Sequence, residues 1–282
     1  MHALPFLIAL LVASLLAPAL LRELARGGHV KPNWRGRELP VPFGALALAA
    51  AVVALVPLMA LSKLAGTHVF HAEITPIALY CLGVLCLGLL DDTLGDEPRR
   101  GGSGERRGWR GHGGALLGGE LSTGVLKAVG CLGLALLAAS YLGLSDARWL
   151  LAVGVLVLCT NVFNLLDLRP GRSTKAFVLL GAGLALGSSE LRPLWSLGLF
   201  AAPALVAGAY DLRERAMIGD TGANLLGALG GLWLVLTLSG TGQLVALAVL
   251  AAITVYGELR SISALVERTP GLRYLDSLGR PS

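Results

Sequence analysis

Two adjacent carboxylates, Asp91 and Asp92, close a long apolar run that begins near Ile74, and Asp96 and Glu97 follow closely. Ionised carboxylates at the mouth of an apolar helix are costly unless something binds them. Two acids at a helix C-terminus also oppose the helix dipole. That weakens the simpler reading, a solvated helix end. Neighbouring helical side chains point about 100° apart. The pair can therefore divide its work, one carboxylate on a metal and the other on a second substrate.

A second group is Asn161-Val-Phe-Asn164-Leu-Leu-Asp167. Polar residues at i, i+3 and i+6 share about a third of a helix circumference. They line something polar, either a ligand or metal-bound oxygen, or a neighbouring helix to which they hydrogen-bond. A third group is Met217-Ile218-Gly219-Asp220-Thr221-Gly222-Ala223-Asn224, at the start of another apolar run. Gly219 and Gly222 let a ligand approach the backbone, and the free N–H groups of a helix start suit phosphate. Asp220 can hold a cation bridging to that phosphate, or act only as an N-cap. Carboxylates, a phosphate-friendly helix start and nearby arginines are the parts of metal-assisted phosphoryl or prenyl transfer. In such reactions Mg²⁺ and basic side chains compensate charge on phosphate oxygens. Mg²⁺ commonly takes one or two carboxylates, with water and phosphate completing its shell.

The elements that position these residues belong to a membrane protein. Of the 282 residues 55% are hydrophobic and only 15% charged, against about 25% charged in a soluble domain. A spanning helix needs about 20 mostly apolar residues. Nine segments fit or come close: 3–21, 41–62, 73–90, 122–142, 147–166, 173–188, 193–210, 221–238 and 242–259, the sixth and seventh being short. With the N-terminus outside and the C-terminus cytoplasmic, 19 of the 23 Lys and Arg residues fall in inner loops and tail, as the positive-inside rule requires. The outer loops hold only Lys63, Arg148 and Arg192, and Lys127 lies inside the fourth span. Of 18 acids, only Glu73, Asp146 and Glu190 face outward. All three acidic groups therefore share the cytoplasmic surface.

The expected architecture is an all-α, polytopic, multi-pass plasma-membrane protein of about nine transmembrane helices, forming a single integral membrane domain over 1–282. A Gly- and Arg-rich cytoplasmic loop spans 91–121. An interfacial tail spans 260–282 and is broken at Pro270-Gly271. The first apolar run lacks a basic leader and a cleavage site, and is expected to be a retained span. Cys81, Cys86, Cys131 and Cys159 lie in apolar runs without a Cys-x-x-Cys pattern, which points to packing rather than disulfide or zinc chemistry. The basic surface suits anionic lipid headgroups. No nucleic-acid partner is expected, and a homodimer is left open.

The motifs together resemble the polyprenyl-phosphate N-acetylhexosamine-1-phosphate transferase family. This family includes phospho-N-acetylmuramoyl-pentapeptide transferase and the N-acetylglucosamine-1-phosphate transferases of cell-wall and peptidoglycan synthesis. Asn33-Trp34-Arg35-Gly36, Leu39-Pro40 and Gly44 resemble its segment before the second span. Gly88-Leu-Leu-Asp91-Asp92 resembles its paired-aspartate motif. Gly111-His112, then Leu121-Ser122-Thr123-Gly124 and Lys127, resemble the stretch into the next helix. Asn161 to Asp167 matches Asn-x-x-Asn-Leu-x-Asp, and Gly219 to Ala223 matches Gly-Asp-x-Gly. The likeness covers about residues 30 to 260. It implies transfer of a sugar-1-phosphate from a UDP-sugar to undecaprenyl phosphate, with Mg²⁺ (or Mn²⁺ in its place) and release of UMP. By resemblance Asp220, with Asp92, would ligate the metal. Asp91, Asp92 and Asp167 would be catalytic. Asn161, Asn164, Lys127, Gly219 and Thr221 would line the substrate site.

The chain departs from the family at three places. The usual Gly-x-Asp-Gly after Asp167 is Leu168-Arg169-Pro170-Gly171-Arg172, whose arginines are expected to supply phosphate contacts. No His-rich loop follows the ninth span, the five histidines being His2, His29, His68, His71 and His112, and no tenth span appears. The donor sugar is thus left open. Two alternatives stand beside this reading. One is a non-catalytic relative that binds lipid phosphate. The other is an intramembrane prenyltransferase of the UbiA type, which Asp91-Asp92-x-x-x-Asp96 faintly resembles but which needs a second, similarly spaced aspartate cluster.

Overall fold

Among the described residues seven helices are long and apolar enough to cross a membrane. They belong to an all-helical chain, seen in a computed structural model that describes residues 1–95 and 123–281. Helix α1 (Leu4–Arg26) leads into a two-stranded hairpin, β1 (Val30–Pro32) and β2 (Glu38–Pro40). Then follow α2 (Ala45–Leu64), α3 (Ile74–Leu94), α4 (Thr123–Ser140), α5 (Asp146–Leu166), α6 (Arg172–Ser188), α7 (Arg192–Leu212), α8 (Gly219–Thr237) and α9 (Gly240–Leu259). Two short helices, α10 (Ile262–Arg268) and α11 (Pro270–Ser277), end the described chain.

Two helices fall outside the seven. Helix α6 has 17 residues, short for a bilayer. Helix α8 is rich in Gly and Ala and is buried on all sides from Thr221 to Val235. It packs mainly against α3, α5, α6 and α7. Helix α7, expected to be short, has 21 residues.

On α1 and along much of α2, alanines face inward and larger side chains outward. On α1, Ala9, Ala13 and Ala17 are buried while Leu7, Leu11 and Leu15 are exposed; on α2, Ala47, Ala50 and Ala54 are buried while Val52, Val56 and Met59 are exposed. Size sorts these faces, since lipid is as apolar as the core and only close backbone packing rewards association. The four cysteines are free; three are buried in helix faces and Cys86 is exposed.

Helices α1, α3, α5, α7 and α9 end, and α2, α4, α6 and α8 begin, at one end of the bundle. Contacts between α3 and α8, α4 and α8, α7 and the start of α6, and β2 and the start of α8 join these termini. The opposite end carries the Glu73–Arg192 ion pair and the stacked rings of His2 and His71.

Some boundaries shift from the sequence expectation. Helix α3 runs to Leu94, so Asp91 and Asp92 lie in its last turn rather than at the start of a loop. The remainder of the Gly- and Arg-rich loop lies outside the described residues, as do Asp96, Glu97, Gly111, His112, Leu121 and Ser122. The tail breaks at Thr269, and Pro270 opens α11, where a missing N–H costs nothing.

Candidate functional site

The core of the site is the junction of α3 with α8. Asp92 Oδ1 accepts the Asp220 N–H at 3.0 Å, and Oδ2 accepts the Thr221 N–H at 2.8 Å and its hydroxyl at 2.6 Å. A carboxylate from one helix thus caps the N-terminus of another, satisfying donors that have no partner within their own helix and facing the positive end of its dipole. The N-cap position of α8 is Ile218, not Asp220. Two glycines permit this approach. Gly219 has φ +67° and a Cβ there would lie 2.7 Å from Asp92 Oδ2; a Cβ on Gly88 would lie 2.6 Å from Thr221 Cα. The start of α2 closes the third side. Phe43 N–H donates to Met217 O at 2.8 Å, Gly44 N–H to Ile218 O at 2.9 Å, and a Cβ on Gly44 would meet the Gly222 nitrogen.

Lys127, in the second turn of α4, reaches into this junction. Its ammonium contacts Asp91 Oδ2 at 2.7 Å and also Asp220 Oδ2. The side chains of Lys127, Asp91 and Asp220 are 21%, 17% and 34% exposed, so the group is partly shielded yet open to solution. Lys31, on the hairpin, donates to the Asp92 carbonyl at 3.4 Å.

Asp167 follows the last turn of α5, its N–H donating to Asn164 O at 3.1 Å. Helices α5 and α8 are antiparallel and very close. A Cβ on Gly227 would lie 2.5 Å from Thr160 Cα, and one on Gly231 3.2 Å from Leu156 Cα. Continuing that pairing along α8 sets Asp220 opposite Asp167. Desolvation pushes the Asp167 carboxyl well above the usual carboxylate range; the charges of Asp211, Asp220 and Asp92 push it the same way, against the hydrogen bond from Ser173.

Asn161 and Asn164 separate in role. Asn161 Nδ2 donates to Thr254 Oγ1 on α9 at 3.3 Å, an interhelical bond of the kind common in membranes. Asn164 Nδ2 is buried without a partner, and so is the member of the pair with a donor to offer a ligand.

Two buried acids on the same end were not singled out from sequence. Asp211, 4% exposed, accepts the Gly171 N–H at 2.6 Å and so holds the start of α6. Glu214, 2% exposed with φ +51°, is gripped by the hairpin: Arg35 Nε lies at 3.4 Å, Arg37 Nη1 at 3.6 Å and Asn33 Nδ2 at 3.4 Å. Both acids follow an apolar run, as Asp91 does, and that was the signal available.

Arg169 and Arg172 turn away from the carboxylate junction. Arg169 Nη2 bonds Glu267 at 2.7 Å and its guanidinium lies 4.1 Å from the Trp34 ring centre. Arg172, 6% exposed, bonds Asp276 through Nε at 2.9 Å and Nη2 at 3.1 Å, and Ser263 through Nη1 at 3.1 Å. The phosphate contacts expected of them meet guanidinium groups already held by tail carboxylates. Asp92, expected as a metal ligand, likewise has both oxygens engaged by donors.

Among the described residues no group of three or more His, Cys, Asp or Glu is set to hold a metal by itself. The donor set still fits Mg²⁺. Asp91 and Asp220 each aim an oxygen at one point, now taken by the Lys127 ammonium, and Mg²⁺ needs only one or two carboxylates when phosphate and water supply the rest. No protein-family model matches this chain, and no curated protein matches it significantly.

Proposed function

We propose that the chain transfers a sugar-1-phosphate from a UDP-sugar to a polyprenyl phosphate, releasing UMP, in cell-envelope glycan synthesis. The observation that carries this reading is the meeting of Asp91, Lys127 and Asp220 at the Asp92-capped start of α8, with Asp167 opposite. In membrane terms the chain spans nine times, α6 and α8 included. The N-terminus lies outside, and the acidic end of the bundle faces the cytoplasm of a plasma membrane, as the distribution of Lys and Arg favours.

In the reaction a lipid-phosphate oxygen attacks the phosphorus that bears the sugar. A new P–O–P link forms, the bond between the two donor phosphates breaks, and UMP takes the electron pair. A phosphate monoester is largely ionised at neutral pH, so the attacking group needs positioning more than a strong base. Asp220 and Asp91 would hold Mg²⁺, which neutralises pyrophosphate charge when bound. Lys127, which lies on both carboxylates in this structure, would serve a phosphate oxygen. Asn164 presents its free amide, and Asp92 keeps the start of α8 rigid behind Gly219 and Thr221. The prenyltransferase alternative loses support because Asp211, the nearest aspartate to Asp220 in sequence, is nine positions away and accepts from the Gly171 backbone.

The test is incubation of purified protein with undecaprenyl phosphate, Mg²⁺ and a panel of UDP-sugars. UMP release with at least one donor, abolished by Asp220→Ala, is expected. No release with any donor would favour the non-catalytic lipid-phosphate binder.

A further inference from the structure

The basic side chains of residues 168–175 are all directed to the tail. Arg169 bonds Glu267, and Arg172 bonds Asp276 and Ser263. Lys175 donates to the carbonyls of Leu275 and Leu278, each at 3.1 Å. The tail answers in kind. Arg280 bonds Asp276 through Nη1 at 3.0 Å and Nη2 at 2.6 Å, and its Nε donates to Pro170 O at 2.8 Å. Farther along, Arg35 of the hairpin turn donates to Pro281 O at 3.0 Å. Asp276 thus lies between two arginines. Arg172 opens α6, and Arg280 grips the turn just before it.

That turn starts at Asp167, and the bundle holds it through the Asp167 N–H bond to Asn164 O, the Gly171 N–H bond to Asp211 and the close packing of Gly171 on Leu212. The tail adds grips on both sides of its exit, Arg280 on the Pro170 carbonyl and Asp276 on the Arg172 guanidinium.

We propose that Asp276 is a positioning residue: through Arg172 and Arg280 it clamps the 167–172 turn and keeps the Asp167 carboxyl opposite Asp220. This rests on Asp167 belonging to the transferase site. Two bidentate arginine–carboxylate pairs fix orientation as well as distance. Partial burial works to raise the Asp276 carboxyl, but the hydrogen bonds and charges of Arg172 and Arg280 outweigh it and hold it at about 2. The clamp therefore stays charged at any working pH.

The test compares Asp276→Asn, Asp276→Glu and wild type as full-length protein in nanodiscs. Hydrogen exchange of peptides covering 164–176 is read beside kcat and KM for the donor found active. Asp276→Asn is expected to speed exchange at 168–172 several-fold, leaving 221–235 unchanged. It is expected to lower kcat on the order of 10²-fold, as small misplacements of reacting groups do, with KM nearly constant. Asp276→Glu, which keeps the charge, is expected to recover most of both. Should Asp276→Asn lose its fold, Arg280→Gln leaves the Arg172–Asp276 pair and is expected to show the same split more mildly. Unchanged exchange at 168–172 overturns the proposal. So does faster exchange with unchanged kcat, which would make the tail structural only. If wild type turns over no donor, the transferase reading fails on its own, and the exchange arm still decides whether Asp276 clamps the turn.

Discussion

Asp92 and Thr221 face each other across two helices, one carboxylate oxygen of Asp92 accepting both the backbone N–H and the hydroxyl of Thr221, at 2.8 and 2.6 Å. The bond joins the end of α3 to the start of the buried helix α8, and places Asp91 and Asp220 on either side of Lys127. Asp92→Asn keeps one acceptor but removes the charge that faces the helix N-terminus. It is expected to cost about 0.5–2 kcal/mol, the range for losing an N-cap. Thermal unfolding in detergent checks this, and an unchanged midpoint would show that the cap carries no stability.

Gly219→Ala strikes the same junction from the other side. The left-handed backbone at φ +67° costs a residue with a Cβ about 1–2 kcal/mol, and the Cβ would press on the Asp92 carboxylate. Lower stability together with lost turnover is expected. Gly183→Ala, where a Cβ meets nothing within 4 Å, is the control expected to be neutral.

Lys127 compensates two carboxylates, so Lys127→Gln leaves them facing each other. A destabilisation of about 0.5–3 kcal/mol is expected without divalent ions. Added Mg²⁺ is expected to raise the unfolding midpoint more in the variant than in wild type, because a bound cation replaces the lost charge. An equal Mg²⁺ response in both proteins would argue against a cation between Asp91 and Asp220.

Asp167 sets a pH dependence. Its carboxyl titrates well above the unfolded value, which is about 3.9. The folded state then holds a proton that the unfolded state releases. Stability is lost as pH rises from the unfolded toward the folded value. In chelator, Asp167→Asn is expected to be more stable than wild type at pH 8. Near pH 4, where the wild-type carboxyl is protonated, the two are expected to converge. A constant difference across that range would contradict the shift.

Much of this arrangement is legible in the sequence because membranes constrain it strongly. Apolar length marks the helices, and the crowding of Arg and acids on alternate loops brings Asp91, Asp167 and Asp220 to one end. What stays hidden is pairing between distant segments. Nothing local marks Asp92 as the cap of a helix 128 positions away, or Asp276 as the partner of Arg172. Helix α8 reads as one more span, although its small residues serve burial on every side. Arg169 and Arg172 look like phosphate ligands from position alone; only the fold shows their charges already matched by Glu267 and Asp276.

Group transfer to a lipid is tested most directly with a donor labelled at the phosphate next to the sugar. Wild-type protein with undecaprenyl phosphate and Mg²⁺ is expected to move the label into the lipid phase in equal amount to UMP formed, and Asp220→Asn to abolish both. Label that stays in the aqueous phase with every donor, or transfer that survives Asp220→Asn, would contradict it.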